Sequence, residues 1–120
     1  MPFLNWNDVP AEDNRPGVTH QRLFGDKVQV QRLTVEPGGE PVPLHDHPDI
    51  EQFFLIQEGE WEMTLGDEMK QIGPGDIVYV PPGTPHSPRL LSDQTGYLYE
   101  IYHPILSTEL AAERKPLAES

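Results

Sequence analysis

Residues 39–59, GEPVPLHDHPDIEQFFLIQEG, place two histidines two positions apart ahead of an apolar run that closes on a glycine. In extended chain alternate side chains leave the same face, so His45 and His47 offer two imidazole nitrogens to one point. Pro48 and Asp49 turn the chain and return Gln52 beside that pair. Gln52, Phe54 and Ile56 then share a face, Glu51 lies on the other, and Gly59 permits the next tight turn. Fifteen residues separate Gly59 from a second stretch, GDIVYVPPGTPH, which begins at Gly75. It reads as a turn, a short apolar strand over 77–80, a rigid Pro81-Pro82-Gly83 corner, and the return of His86 as a third imidazole. A chain that joins two such stretches at one point must fold as short strands doubled back on each other.

The remaining sequence follows the same pattern. Val18 to Phe24 and Lys27 to Val35, around Gly25-Asp26, predict a hairpin. Val28 and Val30 alternate and then Leu33 and Val35, a change of phase that predicts a bulge near Gln31 and Arg32 and turns Arg32 inward. Glu60 to Leu65 alternates with Trp61, Met63 and Leu65 on one face, before a turn at Gly66-Asp67 and a strand through Ile72. A last strand over 97–103 sets Leu98, Glu100 and Tyr102 on one face and Tyr97, Tyr99, Ile101 and His103 on the other; which of the two is inner stays open. Leu106, Leu110 and Ala111 have helical spacing after a Ser or Thr cap, which predicts a short helix from Ser107 to Lys115. Many short strands with Gly and Pro turns predict an all-β double-sheet jelly roll with a short C-terminal helix.

At 120 residues the chain has the size of one domain. It contains no cysteine, so a metal site must draw on His, Gln, Asp or Glu. With 20 acidic against 8 basic residues, a formal charge of −12, nucleic acid and anionic membranes are poor partners. No apolar run approaches the length of a membrane span, and MPFLNWNDVP lacks the pattern of a signal peptide, so a cytoplasmic location is expected. Three imidazoles with an oxygen donor leave an open coordination position, as chemistry on a divalent transition ion requires; zinc, nickel, iron, manganese and copper all suit this set.

At these residues the chain resembles the cupin superfamily. The first cupin motif runs from a glycine through H-x-H and a glutamate to a closing glycine, and Gly39, His45, His47 and Gly59 fit it. The second runs from a glycine through P-x-G to a histidine and often an asparagine, and Gly75, Pro81, Gly83 and His86 fit it. Gln52 stands at the usual glutamate position and Leu90 at that of the asparagine. The resemblance covers about residues 18–103 and implies a double-stranded β-helix barrel with its metal inside one end, ringed by aromatics such as Phe54, Tyr79, Tyr99 and Tyr102. The chain then divides into an irregular N-terminal arm over 1–17 docked by Trp6, a barrel over 18–104, and a C-terminal helix and tail over 105–120. Cupins commonly pair, so a homodimer is expected, with the arm carrying Phe3, Leu4 and Trp6 crossing between copies.

More narrowly, the string from Asn5 to Met63 is similar to small cupins of pectin degradation that linearise unsaturated uronates. Their His, His, Gln and His metal ligands correspond to His45, His47, Gln52 and His86. That group ends its last strand in D-x-F-x-P and an Arg, of which the Asp and Arg handle the sugar acid. Glu100, Tyr102 and Pro104 occupy the first three positions here, and no Arg follows. Arg32 or Arg89 is the expected replacement, with Phe54 as a further substrate contact. His20 and His103 lie outside both motifs and read as surface groups or as supports behind the ligands.

The expected activity is redox-neutral, isomerase- or lyase-like Lewis-acid chemistry on a small oxygen-rich organic or sugar acid, with Glu100 moving the proton and Tyr102 beside it. An iron- or nickel-dependent dioxygenase of a chelating aromatic or diketone is one alternative. A barrel that binds a small molecule without catalysis is another.

Overall fold

In the computed structural model, which describes residues 3–114, the strands are β1 (Glu12–Arg15), β2 (Val18–Phe24), β3 (Gln29–Val35), β4 (Glu51–Glu58), β5 (Trp61–Leu65), β6 (Glu68–Ile72), β7 (Ile77–Val80), β8 (His86–Leu90) and β9 (Gly96–His103). One short helix follows, α1 (Thr108–Glu113). Six strands form an antiparallel sheet in the order β1-β2-β3-β9-β4-β7, and three form a second in the order β6-β5-β8. This is the expected cupin jelly roll, with the inner faces of the two sheets turned toward each other.

The interior is divided along the strands. At one end Val18, Leu33, Val35, Ile56, Trp61, Met63 and Leu98 pack into a continuous apolar core. Each such side chain, fully buried, contributes about 1.5–3 kcal/mol. Trp61 anchors this end, and its indole N–H donates to the Glu58 carbonyl at 3.0 Å, so the ring is buried without an orphaned donor. Gly96 lies against it, and a Cβ there would stand 2.6 Å from the Trp61 ring and 2.5 Å from Leu90. At the other end the buried polar side chains gather, Gln29, Gln31, Gln52, His86 and Glu100, beside Phe24, Phe54, Val80 and Tyr102. A functional site belongs at that end.

β3 corrects one expectation. It pairs residue for residue with β2 and with β9, without a bulge. The inner residues are Gln29, Gln31, Leu33 and Val35, so the change of phase in the sequence marks two buried glutamines, not an extra residue. Their burial is sustained by hydrogen bonds. Gln29 Oε1 accepts from the backbone N–H groups of Leu106 and Ser107 at 3.1 and 2.9 Å, and its amide donates to Gln31 Oε1 at 2.9 Å. Bulges lie instead between Ile56 and Glu58 and between Asp13 and Arg15.

The N-terminal segment is less irregular than expected, because residues 12–15 add β1 to the edge of the large sheet. Trp6 docks on the barrel, as expected. Its ring lies 5.7 Å from that of Tyr99 on the outer face, and Gln21 holds the Trp6 and Val9 carbonyls at 2.7 and 2.8 Å. The C-terminal helix is shorter than expected. Ser107 precedes it without a side-chain cap, since its hydroxyl faces Gln29 at 3.4 Å instead. Lys115 lies outside the described residues.

Candidate metal centre

Three local devices converge the imidazoles. Asp49 adopts φ 66°, a left-handed turn that reverses the chain after Pro48 and starts β4 with Gln52 facing inward. His45 and His86 form a backbone bridge, with His86 N–H to the His45 carbonyl at 2.8 Å and the reverse bond at 3.2 Å. Gly83 N–H donates to the His47 carbonyl at 3.0 Å and ties the proline corner to the same loop. The ring centroids of His45, His47 and His86 consequently lie 4.4–5.1 Å apart, and their ligating nitrogens fall within 4.8 Å of one another.

The orientation of the rings is fixed from behind. Nδ1 of His45 bonds the Pro43 carbonyl at 2.8 Å and Nδ1 of His86 the Thr84 carbonyl at 2.9 Å. Each leaves Nε2 for the common centre. Nε2 of His47, Nε2 of His86 and Oε1 of Gln52 are all buried and have no hydrogen-bond partner among the described residues. Buried lone pairs left in this way are costly unless something accepts them. Burial, then the neighbouring His45 and His86, depresses the His47 pKa to about 4, and burial lowers that of His86 as well. Both therefore hold the neutral form that a metal requires. These donors fit a divalent transition ion, which His45, His47 and His86 could hold, with Gln52 beside them.

The centre opens into a cavity of about 330 Å³. Glu100, Tyr102 and Phe54 are buried in its wall, and β9 turns its Leu98, Glu100, Tyr102 face inward, which settles the face that the sequence left open. Glu100 Oε2 accepts from Gln31 at 2.6 Å and from the Tyr102 hydroxyl. Burial raises the Glu100 pKa above the ordinary carboxylate range, against the pull of those two hydrogen bonds. Burial and the adjoining Glu100 charge push Tyr102 well above its ordinary value, so the phenol stays a donor.

Two expected substrate contacts are not in the cavity. Arg32 follows the unbroken alternation of β3 to the outer face, where its guanidinium lies 4.4 Å above the Tyr97 ring. Arg89 alternates outward from His86 and Pro88 on β8 and pairs with Glu62 at 3.1 Å. Nor do all the expected aromatics line the cavity, since Tyr79 is exposed and Tyr99 faces outward under Trp6. The cavity is lined instead by Arg15 and Arg22, with Gln31 and with His20, which was expected at the surface or behind the ligands. The signal was there for two of them, because Val18, His20, Arg22 and Phe24 alternate along one face of β2.

The cupin-domain family profile (Cupin_2) matches residues 31–102. Quercetin 2,3-dioxygenase of Bacillus subtilis is 40% identical over 105 residues, which cover 81% of this chain and 31% of that enzyme. The uncharacterized protein MJ1618 of Methanocaldococcus jannaschii is 34% identical over 67 residues, covering 56% of this chain and 54% of the other. The chain thus spans about a third and about half of these relatives. Among solved structures, KdgF from Halomonas sp. superposes with a TM-score of 0.82 at 18% identity, covering 91% of this chain and 98% of that one. The polyketide cyclase RemF from Streptomyces resistomycificus does so with 0.72 at 25% identity, covering 88% and 86%.

Proposed function

The chain belongs to the cupin family, and from that premise we propose that it is a metal-dependent enzyme acting on a small oxygen-rich organic acid by redox-neutral, isomerase- or lyase-like chemistry. A divalent ion held by three neutral imidazoles and an amide oxygen keeps its full charge and supplies Lewis-acid polarisation of a substrate oxygen. His45, His47, His86 and Gln52 would hold it. Glu100 moves the proton. Its Oε2 is occupied by Gln31 and Tyr102, so Oε1 is the oxygen that gives or takes the substrate proton. The raised pKa brings the carboxyl toward the neutral range, where general acid–base catalysis is efficient. Tyr102 positions that carboxyl, and Phe54 and the walls of the barrel exclude water from the pair.

The observation that carries this reading is the buried Glu100 carboxyl on the wall shared with His45 and His47, held apart from the ligand set. Structural likeness to KdgF from Halomonas sp. agrees with it in fold. The experiment is to load the purified protein with zinc, nickel, iron or manganese and incubate it with unsaturated uronates, recording product and oxygen together. Conversion without oxygen supports the proposal. Metal-dependent oxygen uptake on flavonols, catechols or 1,3-diketones refutes it. That second result is the prediction of a dioxygenase reading, which the identity to quercetin 2,3-dioxygenase over 81% of the chain favours.

A further inference from the structure

The cavity concentrates positive charge in a chain that is otherwise strongly acidic. The sequence holds 8 Lys and Arg against 20 Asp and Glu, yet Arg15 and Arg22 both line the cavity, and Glu100 is the sole acidic residue among its described lining. The pleat explains the placement. Arg22 lies opposite Gln31, Gln31 opposite Glu100, and Glu100 opposite Phe54, so the four side chains form one row across the inner face. Neighbouring strands are about 4.8 Å apart, which sets Arg22 roughly 10 Å of sheet from Glu100. Both residues line the same cavity of about 330 Å³, which spans that gap.

The charge is cancelled only in part. Glu12 is shared, accepting from Arg22 at 3.0 Å and from Arg114 at 2.8 Å, one carboxylate for two guanidinium groups. Arg22 Nε is buried without an acceptor among the described residues. Among the described residues Arg15 bonds only neutral acceptors, the Asn14 side chain at 3.0 Å and the Pro41 carbonyl at 3.2 Å. Between them His20 has its pKa lowered, first by burial and then by the Arg22 charge, as a locally positive potential requires.

We infer that Arg22, supported by Arg15, is the carboxylate-recognition subsite of this cavity, built on β1 and β2 instead of the segment after β9. The inference rests on the proposed small-acid reading and adds an orientation. The reacting oxygen of the acid lies at the imidazole cluster and Glu100, and its carboxylate lies across the sheet at Arg22.

Calorimetric titration of the metal-loaded protein with D-galacturonate and with its methyl ester tests this. The acid binds about tenfold to a hundredfold more tightly than the ester, the range expected of a charge-assisted hydrogen bond. Arg22→Gln abolishes that preference with metal content unchanged, while Arg22→Lys keeps part of it, because an ammonium lacks the guanidinium fork. Arg15→Gln, which breaks no ion pair, narrows it less and serves should Arg22→Gln fold poorly. Equal binding of acid and ester by the wild type, binding of neither, or a preference that survives in both Arg22→Gln and Arg15→Gln overturns the inference. The readout is binding without turnover. An Arg22-dependent preference in a protein that converts no acid leaves the subsite standing and removes the catalytic reading, whereas turnover of an acid unaffected by Arg22→Gln does the reverse.

Discussion

Replacing Glu100 by glutamine separates its chemistry from its place in the structure. In the wild type, Oε2 serves two donors, the Gln31 amide at 2.6 Å and the Tyr102 hydroxyl. A glutamine oxygen has lone pairs for both, so Glu100→Gln costs no more than about 1 kcal/mol of stability. Glu100→Leu strands both donors in a buried site at about 1–3 kcal/mol each, partly offset by removal of a desolvated carboxyl. The amide cannot exchange a proton at the Oε1 position, so turnover falls about 10²–10⁴-fold, or about 2.7–5.4 kcal/mol of transition-state stabilisation. Metal content stays that of the wild type, because Glu100 is no part of the ligand set. The sign of the pH effect follows from the raised pKa. A carboxyl that holds its proton more tightly when folded loses stability as pH rises from about 4.5, the unfolded value, through the folded one. Glutamine mimics the protonated form, so the melting temperature of metal-free Glu100→Gln gains on the wild type as pH rises. Elemental analysis, turnover and melting curves read the three effects. Loss of metal in the glutamine variant makes Glu100 a ligand and refutes the reasoning, as does turnover at the wild-type rate.

Gln52→Glu places a carboxylate on the ion; metal is held more tightly and turnover of an acid substrate falls, read by chelator competition and initial rates. Gly96→Ala drives a Cβ to 2.6 Å from the buried Trp61 ring, and chemical denaturation records a loss of about 1–3 kcal/mol with metal content intact. His47, depressed to about 4, contributes stability to the metal-free fold that is complete above about 6.5 and is lost as pH falls through 4; His47→Gln flattens that acid limb in melting curves. Light scattering at micromolar concentration gives a dimer, twice 13.6 kDa, if barrels pair as cupins commonly do.

The strands and the four candidate ligands were legible because their signals are local. His-x-His on an extended segment, a Pro-Asp turn and a Pro-Pro-Gly corner fix direction and spacing within a dozen residues, and Glu51 falls on the outer face by alternation alone. The inner face of β3 was not legible. Burying Gln29 and Gln31 is possible only because Leu106, Ser107 and Glu100 arrive from more than sixty positions away to bond them. Arg32 was misplaced for the same reason, since apolar periodicity assigned the valines to the core where distant partners had reserved the place for amides. Strand β1 carries Glu12, Asp13, Asn14 and Arg15, with no apolar alternation to mark it. It is a strand because β2 offers it an edge. The cations of the cavity escaped notice because an arginine on a strand reads as exposed until the opposite sheet is in place.

The metal centre itself is tested most directly by X-ray absorption and elemental analysis of protein expressed with added nickel, zinc, iron or manganese. The prediction is about one ion per chain, bound by three imidazoles with oxygen completing the shell, and its loss in His45→Ala,His86→Ala protein that remains folded. Metal-free protein after such loading, or an ion retained with an unchanged spectrum in the double variant, would contradict it.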